Sequence, residues 1–336
     1  MAKARVEIAR LDNSAATRSD LLDLFSRVQL IRQAEQRLTT LFADGEVPGF
    51  IHLSIGQEGV AAGVGAALGR DDTLASNHRG HGHAIAKGLD LDRFFLEIMG
   101  RDEGYCRGRG GSMHIADMSV GMLGANGIVG AGLPIAVGSA LAHQVRRTGG
   151  LATVFFGDGA LAEGVVLESL NLAALWKLPL LFVCENNGWS EFSPTAKQFA
   201  ADVKDLAAAF GIRSRLVDGN DAVEVWQAAR QFCDEIRDGG GPRLLECMTK
   251  RVRGHFEGDP QKYRVGVDTT EMGDDDPVVR LAGRLSDAGV SDDEIQAVTA
   301  RAVAAIEAAV AAGRAGSQPS FERMLDGVYA RQVANG

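Results

Sequence analysis

Two apolar runs on either side of an apolar helix constrain the fold of this chain more than any other feature. LATVFF (151–156) and LPLLFVCE (178–185) are hydrophobic except for Thr153 and the terminal Glu185, and ALAEGVVLESLNLAALW (160–176) between them has the length and composition of a buried helix. Strands with such continuous apolar runs are typical of parallel sheets covered on both faces. The segment therefore predicts a βαβ unit within an α/β fold.

The rest of the chain continues this alternation. Further strands are predicted near 213–217 and 243–248, and helices over 20–43, 57–68, 91–99, 133–147 and 221–237. Another helix is expected near 277, and a capping box of Ser291 and Glu294 predicts the start of a last one. We expect a parallel sheet with helices on both faces, divided into a polar N-terminal arm (1–19), an α/β domain (20–270) and a helical C-terminal segment (271–336).

Charge and cysteine usage narrow the class of protein. The formal net charge is −9, which argues against a nucleic-acid-binding surface. We expect no membrane span, because no run of about 18 apolar residues occurs. The N-terminus lacks the apolar core of a signal peptide, and the four cysteines show no paired spacing. These features favour a cytoplasmic protein with free thiols.

Polar residues follow both strands of the βαβ unit. Gly157-Asp158-Gly159 comes after the first strand and Asn186-Asn187 after the second. Parallel strands end at one edge of the sheet, so Asp158 and Asn187 are expected side by side where open α/β sheets bind ligands. A carboxylate and an amide oxygen suit Mg²⁺, which shares ligands with phosphates. Gly157 and Gly159 let the backbone approach an anion, so the pattern predicts a magnesium-bridged diphosphate.

Two other interpretations of these residues stay open at this point. GDGALA also fits the dinucleotide fingerprint G-x-G-x-x-A, with Glu185 as a ribose ligand. Alternatively, Asp158 is only a helix cap and Asn186-Asn187 only a turn.

The GDG motif, its spacing and the following ENN resemble the thiamine diphosphate motif. Other segments resemble the alpha subunit of the decarboxylating component of 2-oxo acid and acetoin dehydrogenase complexes. They are GFIHLSIGQE (49–58), SNHRGHGHAIAKG (76–88), GRGGSMHIADMSVGMLGANGIVGAG (108–132), NLAALWKLPLLFVCENNGW (171–189) and KRVRGHFEGDPQKYR (250–264). Together they cover roughly residues 20–270 in order, and they imply a thiamine diphosphate-binding fold.

The resemblance also implies a set of site residues. Asp158 and Asn187 would bind Mg²⁺ through their side chains and Trp189 through its carbonyl. Residues implied to contact the diphosphate are Gly159, Ala160, Arg79, Arg251 and His255, with His78 beside Arg79. Gly127 and Val129 would present backbone groups to the aminopyrimidine ring, which gives a use to some of the 20 glycines within residues 45–132.

Six of the seven histidines lie in the glycine-rich or charged loops. We expect His52 and His114 to face the substrate and His255 to lie near the diphosphate or an intermediate, with His81 a weaker candidate. Glu168 falls on the apolar stripe of helix 160–176, so we expect a buried ion pair or, less favoured, a proton relay between sites. Phe256 follows His255 where regulated relatives carry a serine, so no phosphorylation switch is expected there.

By the same resemblance, the substrate is a small carbonyl compound: acetoin, or pyruvate or another 2-oxo acid. The implied partners are a beta subunit, in an alpha2-beta2 heterotetramer that completes the site, and a lipoyl-bearing acyltransferase. Ala162 and Glu163 depart from the family's asparagine–glutamine pair, which leaves the hydrogen bonds near the metal open. Half of a split transketolase, a dinucleotide-binding oxidoreductase and a non-catalytic scaffold are the alternative functions.

Overall fold

The computed structural model describes residues 16–265 and 272–323. Its helices are α1 (Arg18–Ala43), α2 (Glu58–Ala67), α3 (His81–Lys87), α4 (Leu91–Ile98), α5 (Gly132–Arg146), α6 (Gly164–Leu175), α7 (Val203–Ala209), α8 (Ala222–Glu235), α9 (Pro277–Asp287) and α10 (Asp292–Ala315). Its strands are β1 (Thr73–Ala75), β2 (Met122–Gly124), β3 (Ala152–Gly157), β4 (Leu180–Asn186), β5 (Trp189–Ser190), β6 (Ser193–Pro194), β7 (Arg213–Asp218) and β8 (Arg243–Met248).

Six of these strands form one sheet in the order β2-β1-β3-β4-β8-β7, and each pairing in it is parallel. The short β5 and β6 form a separate antiparallel hairpin. The predicted βαβ unit is confirmed, since β3 and β4 pair along their whole length from Ala152–Leu180 to Gly157–Glu185. The chain leaves β1 towards one side of the sheet and β3 towards the other, so the strand order reverses between them.

Helices cover both faces of the sheet, as the apolar strands predict. Along β3, Val154 and Phe156 pack with α5, α6 and α7, whereas Phe155 packs on the opposite face with α1, α2, α4 and α8. Both sets of side chains are buried. Alternate residues of one strand therefore enter two different hydrophobic cores, which is why the strand is apolar on both faces apart from the buried Thr153.

Two predictions concern the outer parts of the chain: the terminal segments and the capping box of the last helix. Residues 1–15 of the expected N-terminal arm, residues 266–270 at the end of the expected α/β domain, and residues 271 and 324–336 of the C-terminal segment lie outside the described residues. The Ser291 hydroxyl caps α10 by accepting from the Glu294 N–H, at 3.3 Å. The Glu294 carboxylate, however, pairs with Arg18 at 2.5 Å. The expected reciprocal capping box is therefore only half present, because an ion pair with α1 occupies the glutamate.

α10 is the one helix of the described residues long and apolar enough, by composition alone, to cross a membrane. In the fold it packs against α1 and α4. Val298, Ala302, Ile306 and Ala309 form its buried stripe. The apolar face of α10 thus has a partner within the chain.

α6 begins later than predicted, because Asp158–Ala162 form a 3₁₀ turn before it. One side of α6 is buried through Val166 and Leu170, while the other side is open. Glu168 lies on the open side and is exposed. Within this chain Glu168 is therefore not buried, because the helix covers the sheet with its other face, and an ion pair of Glu168 at a subunit contact stays a prediction.

Candidate active site

A cavity of about 530 Å³ lies where the strand order of the sheet reverses. Its walls include residues just after the carboxyl ends of β1, β3, β4 and β8, four neighbouring strands. Open α/β sheets bind their ligands at such a reversal, because the diverging connections leave a crevice there. The position of the cavity thus follows from the topology of the sheet.

The cavity gathers nearly all of the residues that the sequence indicated. Those lining it are His52, His78, Arg79, Gly127, Val129, Gly157, Asp158, Gly159, Ala160, Asn187, Trp189, Arg251 and His255. We call Arg79, Asp158, Asn187 and Arg251 the strand-end wall, and Met113 with Gly127–Val129 the glycine-loop wall. Ala162 and Glu163 also line the cavity.

Two predicted histidines lie elsewhere. His114 is exposed at the rim, where its Nδ1 is 3.2 Å from the Gly110 carbonyl, whereas its neighbour Met113 lines the cavity. His81 is fully buried between Glu35 and Ser112 and does not line the cavity. The weaker expectation that His81 faces the site is wrong, since α3 directs it into the core.

Asp158 and Asn187 meet at the ends of β3 and β4. The Asn187 N–H donates to Asp158 Oδ1 at 3.3 Å, and the Thr195 hydroxyl donates to Asp158 Oδ2. Asp158 is 1% exposed, and burial raises the pKa of its carboxyl although these hydrogen bonds oppose the shift. A bound cation would favour the charged carboxylate and offset its burial.

The side-chain amide of Asn187 has a fixed orientation. Its Oδ1 accepts the Trp189 N–H at 3.1 Å, and its Nδ2 donates to Gln57 Oε1 at 3.1 Å. Because a backbone N–H can only donate, the oxygen of the amide must face Trp189. The second lone pair of that oxygen remains available to a metal.

Two buried guanidiniums share the strand-end wall without a carboxylate partner. Arg79 donates to the carbonyls of Leu53 and His255 at 2.9 and 2.7 Å, and Arg251 donates weakly to the Glu191 carbonyl. Neither arginine belongs to an ion pair among residues 16–265 and 272–323, and Arg251 Nε is a buried donor without a partner. Burial and the neighbouring Arg251 lower the pKa of Arg79 to about 9. Two unpaired buried cations favour an anionic ligand.

Three imidazoles cluster at the mouth of this wall. The ring of His52 lies 4.9 Å from that of His78 and 5.1 Å from that of His255. Burial, with Arg79 nearby, lowers the pKa of His52 to about 3 and of His255 to about 4, and holds that of His78 well below its usual value. The rings are therefore neutral at pH 7 and can accept or donate one hydrogen bond.

These observations together test the fit of Mg²⁺ and a diphosphate. The described residues contain no cluster of three His, Cys, Asp or Glu that could hold a metal alone. Asp158 and the Asn187 oxygen form a partial oxygen shell, of the kind that Mg²⁺ completes with phosphate and water oxygens. Arg79 and Arg251 supply the positive charge that a diphosphate needs. The donor set fits both groups.

Sequence reasoning missed two residues that orient this shell, Gln57 and Thr195. Gln57 is 2% exposed and holds the Asn187 amide, while Thr195 holds the Asp158 carboxylate. Gln57 belongs to the GFIHLSIGQE segment, which indicated the family resemblance but no role for this residue. Thr195 follows the β5–β6 hairpin, which neither composition nor periodicity predicts.

The open side of α5 and α6 forms an apolar surface near the glycine-loop wall. We call it the α5–α6 face; its exposed members are Ile135, Leu141, Val145, Leu167, Leu175 and Trp176. Val145 and Leu175 are 73% and 69% exposed, and Val129 at the cavity is 47% exposed. Exposed apolar side chains concentrated on two packed helices are typical of surfaces that contact another protein.

Comparison with known proteins identifies relatives over nearly the whole chain. The family described as Dehydrogenase E1 component matches residues 26–322. The alpha subunit of acetoin:2,6-dichlorophenolindophenol oxidoreductase from Cupriavidus necator is 45% identical over 314 residues, covering 92% of this chain and 94% of the relative. Its counterpart from Bacillus subtilis is 42% identical over 325 residues, covering 96% and 98%. The pyruvate dehydrogenase E1 component subunit alpha of Zymomonas mobilis is 42% identical over 284 residues, covering 83% and 80%.

Proposed function

This chain belongs to the Dehydrogenase E1 component family, and from that premise we propose that it is the alpha subunit of an acetoin-cleaving enzyme. The enzyme uses thiamine diphosphate and Mg²⁺, and it passes the acetyl group to a lipoyl carrier. One observation carries the proposal: two buried guanidiniums, which form no ion pair among residues 16–265 and 272–323, share the strand-end wall with a buried carboxylate–amide pair. Family membership replaces the dinucleotide-binding and transketolase interpretations.

Thiamine diphosphate, when bound, supplies the carbanion and the electron sink needed to cleave a bond beside a carbonyl. The chain's residues bind and orient it. Asp158, Asn187 and the carbonyl of Trp189 would hold Mg²⁺, and Arg79 and Arg251 would neutralise the diphosphate. The backbone of Gly159 and Ala160, at the start of the turn before α6, would donate to it.

The three clustered histidines are suited to proton transfer and to hydrogen bonding of a carbonyl oxygen. Neutral imidazoles next to Arg79 accept protons poorly until an anion is bound, since a negative charge raises the pKa of a nearby histidine. The backbone N–H of His255 donates to Asp259 Oδ2 at 2.7 Å and holds this residue in place. We therefore place His52 and His255 at the reacting carbonyl and His114 at the rim, where it can close over the substrate.

A beta subunit covers the α5–α6 face in this proposal. Related alpha subunits belong to multi-subunit dehydrogenases, and the α5–α6 face is apolar, exposed and close to the cavity mouth. Burying exposed side chains such as Val145 and Leu175 contributes roughly 25 cal/mol per Å². Glu168, the carboxylate on the open side of α6, would then lie at the subunit contact. We propose an alpha2-beta2 assembly and a lipoyl-bearing acyltransferase as the further partner.

The substrate is tested with the chain co-purified with its beta subunit. We expect reduction of 2,6-dichlorophenolindophenol with acetoin, dependent on thiamine diphosphate and Mg²⁺, and much slower reduction with pyruvate and longer 2-oxo acids. NAD⁺ alone should neither bind nor support turnover. Faster turnover of a 2-oxo acid would move the enzyme to the pyruvate dehydrogenase branch. Turnover by the alpha chain alone would contradict the shared site.

A further inference from the structure

Glu97 of α4 is a buried carboxylate held by backbone amides. Its Oε2 accepts the N–H groups of Cys106 and Gly108 at 2.6 and 2.9 Å, and its Oε1 those of Gly110 and Gly111 at 2.8 and 3.0 Å. Glu97 is 0% exposed, and no ion pair among residues 16–265 and 272–323 includes it. Four converging amide dipoles thus stabilise its charge.

The chain wraps this closely around Glu97 only because it is rich in glycine. A Cβ at Gly104 would lie 2.6 Å from the Cα of Glu97, and one at Gly108 would lie 2.5 Å from the carbonyl carbon of Gly100. Gly108 and Gly111 also have φ of +68° and +56°, which favour glycine. These glycines are therefore needed to pack the chain around the Glu97 carboxylate and not to contact a ligand.

The far end of the same loop is tied to the core by a second buried network. The Ser112 hydroxyl lies 2.7 Å from His81 Nε2, and His81 Nδ1 lies 3.2 Å from Glu35 Oε2. Glu35 in turn accepts from the Ser54 hydroxyl at 2.6 Å. Glu97 and His81 thus hold the loop of residues 104–114 from two sides.

This loop supports the glycine-loop wall of the cavity. A Cβ at Gly127 would meet Met113 Sδ at 3.7 Å and His114 Nε2 at 3.8 Å, so these two side chains back the Gly127–Val129 segment. Met113 itself lines the cavity. A shift of the loop would move both the rim histidine and the wall behind it.

We propose that Glu97 is a positioning residue, which sets the loop of residues 104–114 and through it the glycine-loop wall that receives the cofactor ring. The proposal rests on the proposed function, because it assigns that wall to the ring of thiamine diphosphate. The strand-end wall, which would receive the diphosphate, is built on the ends of the sheet strands and not on this loop. Changing Glu97 should therefore affect one half of the cofactor site and spare the other.

The test compares two ligands on the alpha–beta complex of Glu97→Gln. The amide would turn two donors towards backbone N–H groups that need acceptors, so the loop should loosen. We expect the Kd of thiamine diphosphate with Mg²⁺ to rise by about tenfold or more. Inorganic diphosphate, which needs only the strand-end wall, should keep its Kd within about twofold.

Limited trypsin digestion reports on the loop directly. Cleavage after Arg107 and Arg109 should become about tenfold faster in Glu97→Gln, since local opening exposes the backbone. Gly108→Ala displaces the loop by a different route, because its Cβ meets Gly100 while the carboxylate remains. Gly108→Ala should produce both effects, and it takes the place of Glu97→Gln in the test if that variant does not fold. Glu103→Gln, an exposed change in the same segment, is the matched control.

Each outcome decides the proposal. Faster cleavage with an unchanged Kd of thiamine diphosphate would show that the loop does not set the wall. Equal weakening of thiamine diphosphate and inorganic diphosphate would indicate general destabilisation, and it too would overturn the positioning role. If the wild-type complex does not bind thiamine diphosphate, the proposed function fails. If the wild-type complex binds thiamine diphosphate and the variants behave like the wild type, only the role of Glu97 is overturned.

Discussion

The two walls of the cavity are built in opposite ways. The strand-end wall carries its charged and amide side chains at the ends of β1, β3, β4 and β8, where the sheet itself fixes them. The glycine-loop wall presents mostly backbone and depends on a loop folded around Glu97. Side chains on a rigid sheet suit point charges such as a metal and phosphates, whereas a bare backbone accommodates a flat ring. One ligand can therefore be held by side chains on one wall and by backbone on the other, each supported independently.

The largest effect should come from removing the central carboxylate of the strand-end wall. Asp158→Ala deletes a proposed metal ligand, and we expect acetoin-dependent dye reduction by the alpha–beta complex to fall by roughly a thousandfold. Asp205→Ala, on the exposed side of α7, serves as the control and should retain full activity. Intact activity in Asp158→Ala would mean that the chain is a scaffold and that its partner supplies the chemistry.

Removing one positive charge from the strand-end wall should weaken the binding of diphosphate and leave the binding of thiamine unchanged. Arg251→Met removes a buried guanidinium, so the Kd of inorganic diphosphate should rise by about 10- to 100-fold. Thiamine without phosphates should bind the variant and the wild type equally, because the glycine-loop wall is intact. Isothermal titration of both ligands measures this, with Arg253→Met in the same segment as control. Equal weakening of thiamine would show that the walls are coupled.

A smaller effect is expected from the residue that orients the Asn187 amide. Gln57→Leu keeps the shape but removes the acceptor at 3.1 Å from Asn187 Nδ2. Loss of such an outer contact weakens metal binding by about 10- to 100-fold, and we expect the lower end here. The Mg²⁺ concentration for half-maximal activity should rise, while kcat at saturating Mg²⁺ stays the same. Gln33→Leu on α1 is the control; a lowered kcat would instead place Gln57 in the chemistry.

The smallest effect concerns pH and the histidines beside the strand-end wall. The pKa values of His52 and His255, about 3 and 4 in the folded chain, lie below the ordinary value of about 6.5. Below pH 6.5 the unfolded chain therefore binds more protons, so this contribution to stability is full above pH 6.5 and is lost as the pH falls to about 4 for His255 and about 3 for His52.

Thermal unfolding at pH 7.5 and 5.0 measures this contribution. Replacing His52 by Phe should reduce the pH-dependent loss of Tm by roughly 2–4 °C, the scale of a change of about 1 kcal/mol. Saturating thiamine diphosphate should also reduce the loss in the wild type, because its negative charge favours protonated histidines. The same pH dependence in wild type and variant would contradict the lowered pKa of His52.

Sequence predicts one wall better than the other for a physical reason. Asp158 and Asn187 follow long apolar strands, and parallel pairing alone brings strand ends together, so their neighbourhood could be deduced. β1 and β2 were missed because three-residue strands have no periodicity. α3 was missed because HGHAIAK offers neither an N-terminal side-chain cap nor an apolar stripe.

The glycine excess shows the limit more clearly. The 20 glycines within residues 45–132 suggested a backbone surface for a ligand, and Gly127 does line the cavity. Gly104 and Gly108, however, are needed for close packing against α4 and Glu97. Composition cannot distinguish a glycine that meets a ligand from one that meets its own chain, since both require the absence of Cβ. Glu97 itself gave no signal, because a single glutamate in a helix is ordinary.

The strand order of the sheet also sets the timing of folding during synthesis. β4 ends at Asn186, but its outer neighbour β8 begins only at Arg243, and β7 pairs with nothing in the sheet except β8. At roughly 5–20 residues per second on the ribosome, the edge of β4 stays open for several seconds. An unpaired, largely apolar strand such as LLFVCEN is a template for pairing with another chain. The nascent protein is thus most vulnerable to aggregation after Asp158 has emerged and before β8 has.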